Sequence, residues 1–362
     1  MADGHGLIGA RGHIPDLMKA AVFDEHGGID VLRYQDLPVP KPGPNDVLMK
    51  VKAAACNYND LWARRGLPGV TFILPHISGS DASGVVEQVG SAVTNVKIGD
   101  EIIHHCGQSC RACDACTRGQ EFFCKQFKIF GFQTGPLIGT YGEYVVFPAV
   151  QALPKPENLS WEEASTLSLC LVTAWRMLVT RARIQAGDHV LIWGGAGGLG
   201  YLAIQICNLF NARPIAVVSG SKKAKFVEEL GAEYIIDRDV QNVEEEVKKI
   251  VGRRGVDVVF EHVGQETWPT SIQCLRWGGS LVICGATTGF EAHTDLRFVW
   301  NKQLTLMGSH MGSKWELLEA LSFVESGEIN PVISQVLPLR DVPMGQDLME
   351  QNEVVGKIVY VP

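Results

Sequence analysis

Hydrophobic and polar positions alternate along the first part of the chain, and the period then changes. Between about Lys19 and Ala149, alternating runs such as "DVLMKVKAAA" and "SGVVEQVGSAVTNVKIGDEII" are separated by Gly and Pro turns, which predicts a compact β-rich domain. From about Trp161, apolar strands alternate with helical stretches: "HVLIW" at 189–193, "PIAVV" at 214–218, "EYIID" at 233–237, "VDVVF" at 256–260, "SLVIC" at 280–284 and "QLTLMG" at 303–308. Strands joined by helices require right-handed crossovers, so this half predicts an α/β unit with a doubly wound parallel sheet buried on both faces. The chain closes with a helix-like "SKWELLEALSFVESG" and a strand-like "GKIVYV". The opening "MADGHGLIGARGHIPDL" has no periodicity and is expected to be a mobile extension, set at residues 1–18, with "MKAAVF" opening the first strand.

A length of 362 residues suits two domains. The net charge of −8, with acids and bases interspersed, offers no basic face, so nucleic acid is not an expected partner. Every apolar run is shorter than the ~20 residues that cross a bilayer, and no basic-then-apolar leader is visible, so no membrane partner is expected. Ten cysteines, four of them crowded at metal-ligand spacing, argue for a reducing compartment and a cytoplasmic location.

After the strand "HVLIW" comes "GGAGGLG" and then the helical "YLAIQICNLF". Gly195, Gly197 and Gly200 form G-x-G-x-x-G at a strand-to-helix junction, with Gly198 and Leu199 between them. The three glycines allow the tight turn, the approach of a pyrophosphate and close helix–strand packing, with the phosphates on the helix N-terminus. A dinucleotide is therefore expected here. At the end of the second strand, "VVSGSKKAK" carries no acid to bind the ribose 2′-hydroxyl of NAD. Ser219, Ser221 and Lys223, with Lys222, offer hydroxyls and positive charge instead, which favours the 2′-phosphate of NADPH, although the same residues also suit a solvated helix start. His262 and the turn holding Gly285 and Ala286 fall at strand ends, the edge where such sheets bind ligands.

In "CRACDACTRGQEFFC", Cys110, Cys113, Cys116 and Cys124 are separated by two, two and seven residues. Four thiolates complete a tetrahedral zinc site and leave no position for water or substrate, so the ion they predict is structural.

This lobe, the upstream "GSDASGVVEQVGSAVTNVKIGDEI" and the downstream "GGAGGLG" together resemble the medium-chain dehydrogenase/reductase superfamily, the relatives of zinc alcohol dehydrogenases, from about Lys19 to the C-terminus. The resemblance implies a GroES-like catalytic domain over 19–160 and 310–362, carrying the zinc lobe at 106–125, and a Rossmann domain over 161–309. In zinc-dependent members a second, catalytic zinc is held by Cys, His and Cys. The matching positions here are Asn57, Ser80 and Leu169, with Cys56 one residue early and Cys170 one residue late. Without a Lewis acid, alcohol oxidation loses its main source of oxyanion stabilisation. Hydride delivery to an activated alkene needs no metal.

The blocks "ACNYNDLWARRG", "IFGFQTG", "NLSWEEASTLSLCLVTAWRML", "VVFEHVGQETWPTSI" and "GATTGFEAHTDLRFVWNKQLTLMGSH" are similar to the enoyl-CoA reductase branch that contains crotonyl-CoA carboxylase/reductases. The resemblance implies that Asn57, Phe132, Gln133 and His310 stand where carboxylating members hold carbon dioxide, with Gln133 replacing a Glu, so a reductase in which carboxylation is doubtful is expected. It also implies Thr173 near the nicotinamide, an acyl-CoA substrate, and a homodimer or homotetramer. Plainer readings stay open: Asn57 as a helix cap, His310 as a loop histidine, and Arg64, Arg65 and Arg297 as CoA-phosphate ligands or as surface arginines. Quinone or 2-alkenal reduction, and a non-catalytic nucleotide-binding role, are the competing functions.

Overall fold

Alternation of buried and exposed side chains makes the stretch from Leu17 to Pro154 strand-rich, as expected for about Lys19 to Ala149. The computed structural model describes residues 13–362, so the expected mobile extension lies largely outside the described residues. Strand β1 (Leu17–Val22) takes in Met18, as expected for the start of "MKAAVF", and also Leu17, assigned to the extension; the two pair with Leu37 and Pro38 of β2 (Arg33–Pro38). Strands β3 (Asp46–Ala55), β4 (Asp81–Val89) and β5 (Glu101–His104) follow. A short pair, β6 (Gly107–Gln108) and β7 (Lys128–Ile129), brackets the cysteine lobe. Then come β8 (Tyr144–Pro148) and β9 (Ala152–Pro154).

The second unit carries β10 (His189–Ile192), β11 (Arg213–Val218), β12 (Tyr234–Asp237), β13 (Val256–Glu261), β14 (Leu275–Ile283) and β15 (Thr305–Gly308). All neighbours are parallel, in the order β12-β11-β10-β13-β14-β15, the doubly wound order whose switch point lies between the first and fourth strands. Leu191, Ile215, Val217, Val259 and Leu281 form its apolar core. Full burial explains why these strands read as continuous apolar runs. The chain then returns with β16 (Ile333–Pro338) and β17 (Lys357–Val361), which extend the first unit's sheet in the order β16-β17-β3-β4-β5-β9, with β8 also on β3.

The two units divide at Leu169/Cys170 and at Val332/Ile333, rather than at 160/161 and 309/310. Two local features explain the shift. The helix Trp161–Ala164 packs on β3, β4, β16 and β17 of the first unit, where Ser83 Oγ donates to Trp161 O at 2.6 Å. The helix Lys314–Glu325 belongs to the second, where Trp175 stacks on Phe323 and donates to Glu319 at 2.9 Å. No described helix is long and apolar enough to cross a membrane.

Candidate active site

In the second unit, β10 runs into the glycine turn and the helix Gly200–Leu209. A Cβ on Gly200 would lie 2.2 Å from Gly194 O, so only glycine lets the helix approach the strand this closely. A Cβ on Gly197 would meet nothing nearer than Gly194 O at 3.4 Å, so that face of the turn is open. Gly195 N donates to Val217 O at 3.0 Å, which pins the turn to β11, while the amides of Gly198 and Leu199 have no backbone acceptor among the described residues. Open space beside undonated amides at a helix N-terminus fits a pyrophosphate.

The turns after β13 and β14 are tied together around this point. Glu261, wholly buried, accepts from Val263 N, Gly264 N, Thr267 Oγ1 and Ser271 Oγ, which shapes the turn after β13. His262 Nε2 donates to Trp193 O at 2.9 Å, which leaves Nδ1 as an acceptor, and burial holds this imidazole below the ordinary histidine pKa. Thr288 Oγ1 donates to Val263 O at 2.8 Å, and Ala286 packs on Gly264, so Gly285 and Ala286 sit in a turn braced against the β13 turn.

At the end of β11, Ser219 and Gly220 lead into the helix Ser221–Glu229. Gly220 N donates to Asp237 Oδ1 at 2.9 Å, so the nearby acid is engaged by the backbone. Burial and then the adjacent Arg238 lower the Lys223 pKa. Arg238 escaped the sequence reading because it follows the third strand, not the second, and is brought alongside when its N–H donates to Val218 O at 2.9 Å. Ser219, Ser221, Lys223 and Arg238 thus collect hydroxyls and two cations at one corner.

Thr173, buried on the helix Ser168–Trp175, directs Oγ1 to Met311 Sδ at 3.7 Å. Met311, in the left-handed region at φ 52, follows His310 in the loop between β15 and the helix Lys314–Glu325. His310 reaches solvent, yet partial desolvation and then the Arg176 guanidinium lower its pKa, which favours the neutral imidazole near neutrality.

In the first unit, the three positions matched to zinc ligands gather around one carboxylate. Asn57 stands at the N-cap of the helix Tyr58–Arg65, its N–H donating to Asp60 Oδ2 at 2.8 Å. Its carboxamide Nδ2 donates to Asp81 Oδ2 at 2.9 Å and to Ala55 O at 3.4 Å, while Oδ1 accepts from the ammonium of Lys357. Leu169 N donates to Asp81 Oδ1 at 2.8 Å, and Ser80 Oγ accepts from Asn59 at 2.8 Å. Lys357 Nζ lies 3.9 Å from Asp81 Oδ2, and Asn57, Ser80, Asp81 and Lys357 are all buried. A carboxamide, an engaged hydroxyl and an alkyl side chain around an ammonium do not fit a divalent cation.

Beneath them Asp60 accepts from Tyr141 OH at 2.6 Å and Gly79 N at 3.0 Å, and burial raises its pKa to about 6. Burial, then Asp60, pushes the Cys56 thiol up to about 12, which makes it an inert core group.

Phe132 is buried edge-on to Phe72, with ring centroids 5.3 Å apart. Gln133 folds back on its own turn, where Oε1 accepts from Ile129 N at 3.0 Å. Arg64 is not placed for a CoA phosphate. It is buried, donates to Gln346, Gly27 O and Glu350, and thereby ties its helix to the helix Val342–Glu350. Arg65 pairs with the same Glu350 at 2.7 Å, whereas Arg297 is exposed beside Asp295.

The ligand atoms of Cys110, Cys113, Cys116 and Cys124 lie within 4.8 Å of one another, with the sulfurs 3.6 Å apart between Cys113 and Cys116 and 3.9 Å apart between Cys110 and Cys116. Sulfurs at about 2.3 Å from a tetrahedral zinc stand about 3.8 Å apart, so the lobe fits that ion. Backbone N–H groups donating to Cys110 lower its pKa to about 6, whereas at Cys113 the Cys116 N–H is outweighed by the neighbouring sulfurs of Cys110 and Cys116, which hold that thiol up at about 11, so in the metal-free lobe the charge gathers on one sulfur of the group. Among the described residues this is the group of three or more His, Cys, Asp or Glu side chains suited to a metal.

Residues 43–157 match the alcohol dehydrogenase GroES-like domain and residues 198–326 the zinc-binding dehydrogenase domain. The crotonyl-CoA carboxylase/reductase of Cereibacter sphaeroides is 34% identical, over 96% of this chain and 88% of its own. A solved NAD-dependent alcohol dehydrogenase is 39% identical with a TM-score of 0.90, covering 95% of this chain and 100% of that one. A 2-octenoyl-CoA carboxylase reductase, solved with NADP and 2-octenoyl-CoA, is 32% identical with a TM-score of 0.88, covering 96% and 88%. The GroES-like unit and the Rossmann sheet make this chain an oxidoreductase of the medium-chain dehydrogenase/reductase superfamily. Within it, the chain belongs to the enoyl-CoA reductase branch that includes the crotonyl-CoA carboxylase/reductases.

Proposed function

We propose that this protein is an NADPH-dependent reductase of short-chain 2-enoyl-CoA esters, of acryloyl or crotonyl size, working without a catalytic metal and without carboxylation. The observation that carries this reading is the corner of Asn57, Ser80 and Leu169, filled by Lys357 and Asp81 where zinc enzymes of the superfamily keep their metal. With no Lewis acid to polarise a plain carbonyl, the acceptor must be an alkene already activated by conjugation. Bound NADPH would supply a hydride to the β-carbon, the enolate charge would spread onto the thioester oxygen, and a proton taken up at the α-carbon would complete the saturated ester. The glycine turn with Gly198 and Leu199 would carry the pyrophosphate, and Ser219, Ser221, Lys223 and Arg238 the 2′-phosphate. His310 is the assigned substrate-facing imidazole, able to pass a proton, and Phe132 supplies an apolar wall.

Two features support reduction alone. Gln133 is uncharged and bonded to Ile129, and both Asn57 amide N–H groups are already donated. Relatives named for crotonyl-CoA and 2-octenoyl-CoA support the thioester class. We further assign one structural zinc to the four-cysteine lobe, a homodimer or homotetramer as the assembly, and the cytoplasm as the location.

The test follows NADPH absorbance with crotonyl-CoA, acryloyl-CoA, a quinone and a free 2-alkenal, each with and without bicarbonate. The expected result is turnover of the CoA esters and a saturated, uncarboxylated product by mass. Quinone turnover with none of the esters would overturn the substrate assignment, and a product heavier by one carboxyl group would overturn the reductase-only reading.

A further inference from the structure

We propose that Lys357 and Asp81 form a positioning pair for Asn57, holding its carboxamide in one orientation so that it meets a substrate only through Oδ1; this rests on the reading above that Asn57 faces the reaction. Asn57 follows the end of β3, and Lys357 and Asp81 open the two strands that flank β3 in the sheet. In the antiparallel pairing of β17 with β3, Val359 stands opposite Ala55, so the same register carried two residues on sets Lys357 opposite Asn57. On the other side of β3, Ala55 stands opposite Asp81 of β4. The pairing of both flanking strands with the end of β3 therefore brings a cation and an anion within reach of the amide, and the side-chain hydrogen bonds complete the placement.

An Asn side chain is nearly symmetric in shape, and only its partners decide which end is oxygen. Here the ammonium of Lys357 faces Oδ1 and the carboxylate of Asp81 faces Nδ2 at 2.9 Å. Turning the amide over would set NH2 against an ammonium and C=O against a carboxylate, two repulsions in a buried place where charges are poorly screened. The second N–H is held by Ala55 O. Asp60 and Cys56 also face Lys357, but Asp60 is engaged by Tyr141, Gly79 and Asn57 N, and the thiol is neutral. The cation at this corner is thus part of the chain and does not exchange with added metal.

The test uses the full-length enzyme as Lys357→Met, Lys357→Arg, Asp81→Asn, Asn57→Ala and the double variant Lys357→Met/Asn57→Ala. In the 15N-labelled protein, exchange of the Asn57 side-chain amide with solvent, its resonance identified by its loss in Asn57→Ala, is expected to quicken by about tenfold in Lys357→Met and in Asp81→Asn, as a buried hydrogen bond loosens. With NADPH and crotonyl-CoA, kcat of Lys357→Met is expected to fall about ten- to a hundredfold, the cost of a misplaced group. NADPH Kd should stay within about twofold, Lys357→Arg should recover most of kcat, and the double variant should fall no further than the worse single one. Multiplied losses in the double variant, or unchanged amide exchange in folded Lys357→Met, would overturn the pair's role. If Lys357→Met does not fold, Asp81→Asn and Lys357→Arg decide the same question. If the wild type reduces no enoyl-CoA, the substrate reading fails, while amide exchange still decides the positioning.

Discussion

Arg176 Nη1 lies 2.9 Å and 3.2 Å from the two carboxylate oxygens of Glu316, and both side chains are buried. Glu316 also accepts from Thr180 Oγ1 at 2.6 Å and from Ser313 N at 2.7 Å, while Ser313 Oγ caps Glu316 N. One carboxylate therefore anchors the loop that carries His310 and Met311 to the π-helical segment Arg176–Ala182. Breaking a buried pair by removing one partner costs about 3–5 kcal/mol. Glu316→Ala should lower the urea-unfolding free energy by about that much; a loss under ~1 kcal/mol would show that the pair contributes little.

Removing one cysteine should release the zinc and leave the nucleotide turn intact. Metal analysis of the wild type should give one zinc per chain, and Cys116→Ser close to none. Because the lobe lies within the first unit and the glycine turn within the second, NADPH affinity should survive in Cys116→Ser. Retention of a full equivalent of zinc in that variant would refute the ligand set.

Cofactor choice should turn on the corner beyond β11. A charge-assisted hydrogen bond contributes about 1.5–3 kcal/mol, which corresponds to about a ten- to hundredfold change in affinity. Arg238→Ala should raise Kd for NADPH by that factor and leave Kd for NADH within about twofold. Ser219→Asp should weaken NADPH further through repulsion, and an unchanged NADPH affinity in both variants would remove this corner from the site.

Acid stability should report the burial of His104. Its ring packs between Phe130 and Phe147, Nδ1 donates to Ser80 O at 3.0 Å, and burial lowers its pKa from 6.5 to about 3. The folded-state value is depressed, so between pH 6.5 and 3 the unfolded chain binds the extra proton, and stability falls as the pH drops through that window. The slope from one such group is at most about 1.4 kcal/mol per pH unit. His104→Phe should flatten the loss of unfolding free energy between pH 6.5 and 4.5 relative to wild type; parallel curves would assign the acid sensitivity elsewhere.

Much of the second unit was legible along the chain because its determinants are local. Apolar runs five residues long, the glycine turn and intervening amphipathic helices act within one strand–helix unit, and the sheet they build has the expected parallel order. The four cysteines were legible for the same reason, lying within fifteen residues of one another. The unit borders were not, because the helices Trp161–Ala164 and Lys314–Glu325 are ordinary amphipathic segments whose allegiance depends on partners such as Ser83, Trp175 and Arg176. Arg64, expected as a CoA-phosphate ligand or a surface arginine, is buried because Gln346 and Glu350, far along the chain, close over it.

By itself the sequence determined the two kinds of unit, the glycine turn between strand and helix and the four-cysteine lobe, since each is written in neighbouring residues. What surrounds Asn57, Ser80 and Leu169 was decided by the tertiary structure alone. Lys357 reaches Asn57 across 300 residues of chain because β17 pairs with β3, and Asp81, arriving from β4 on the other side, supplies a compensating charge for the buried ammonium.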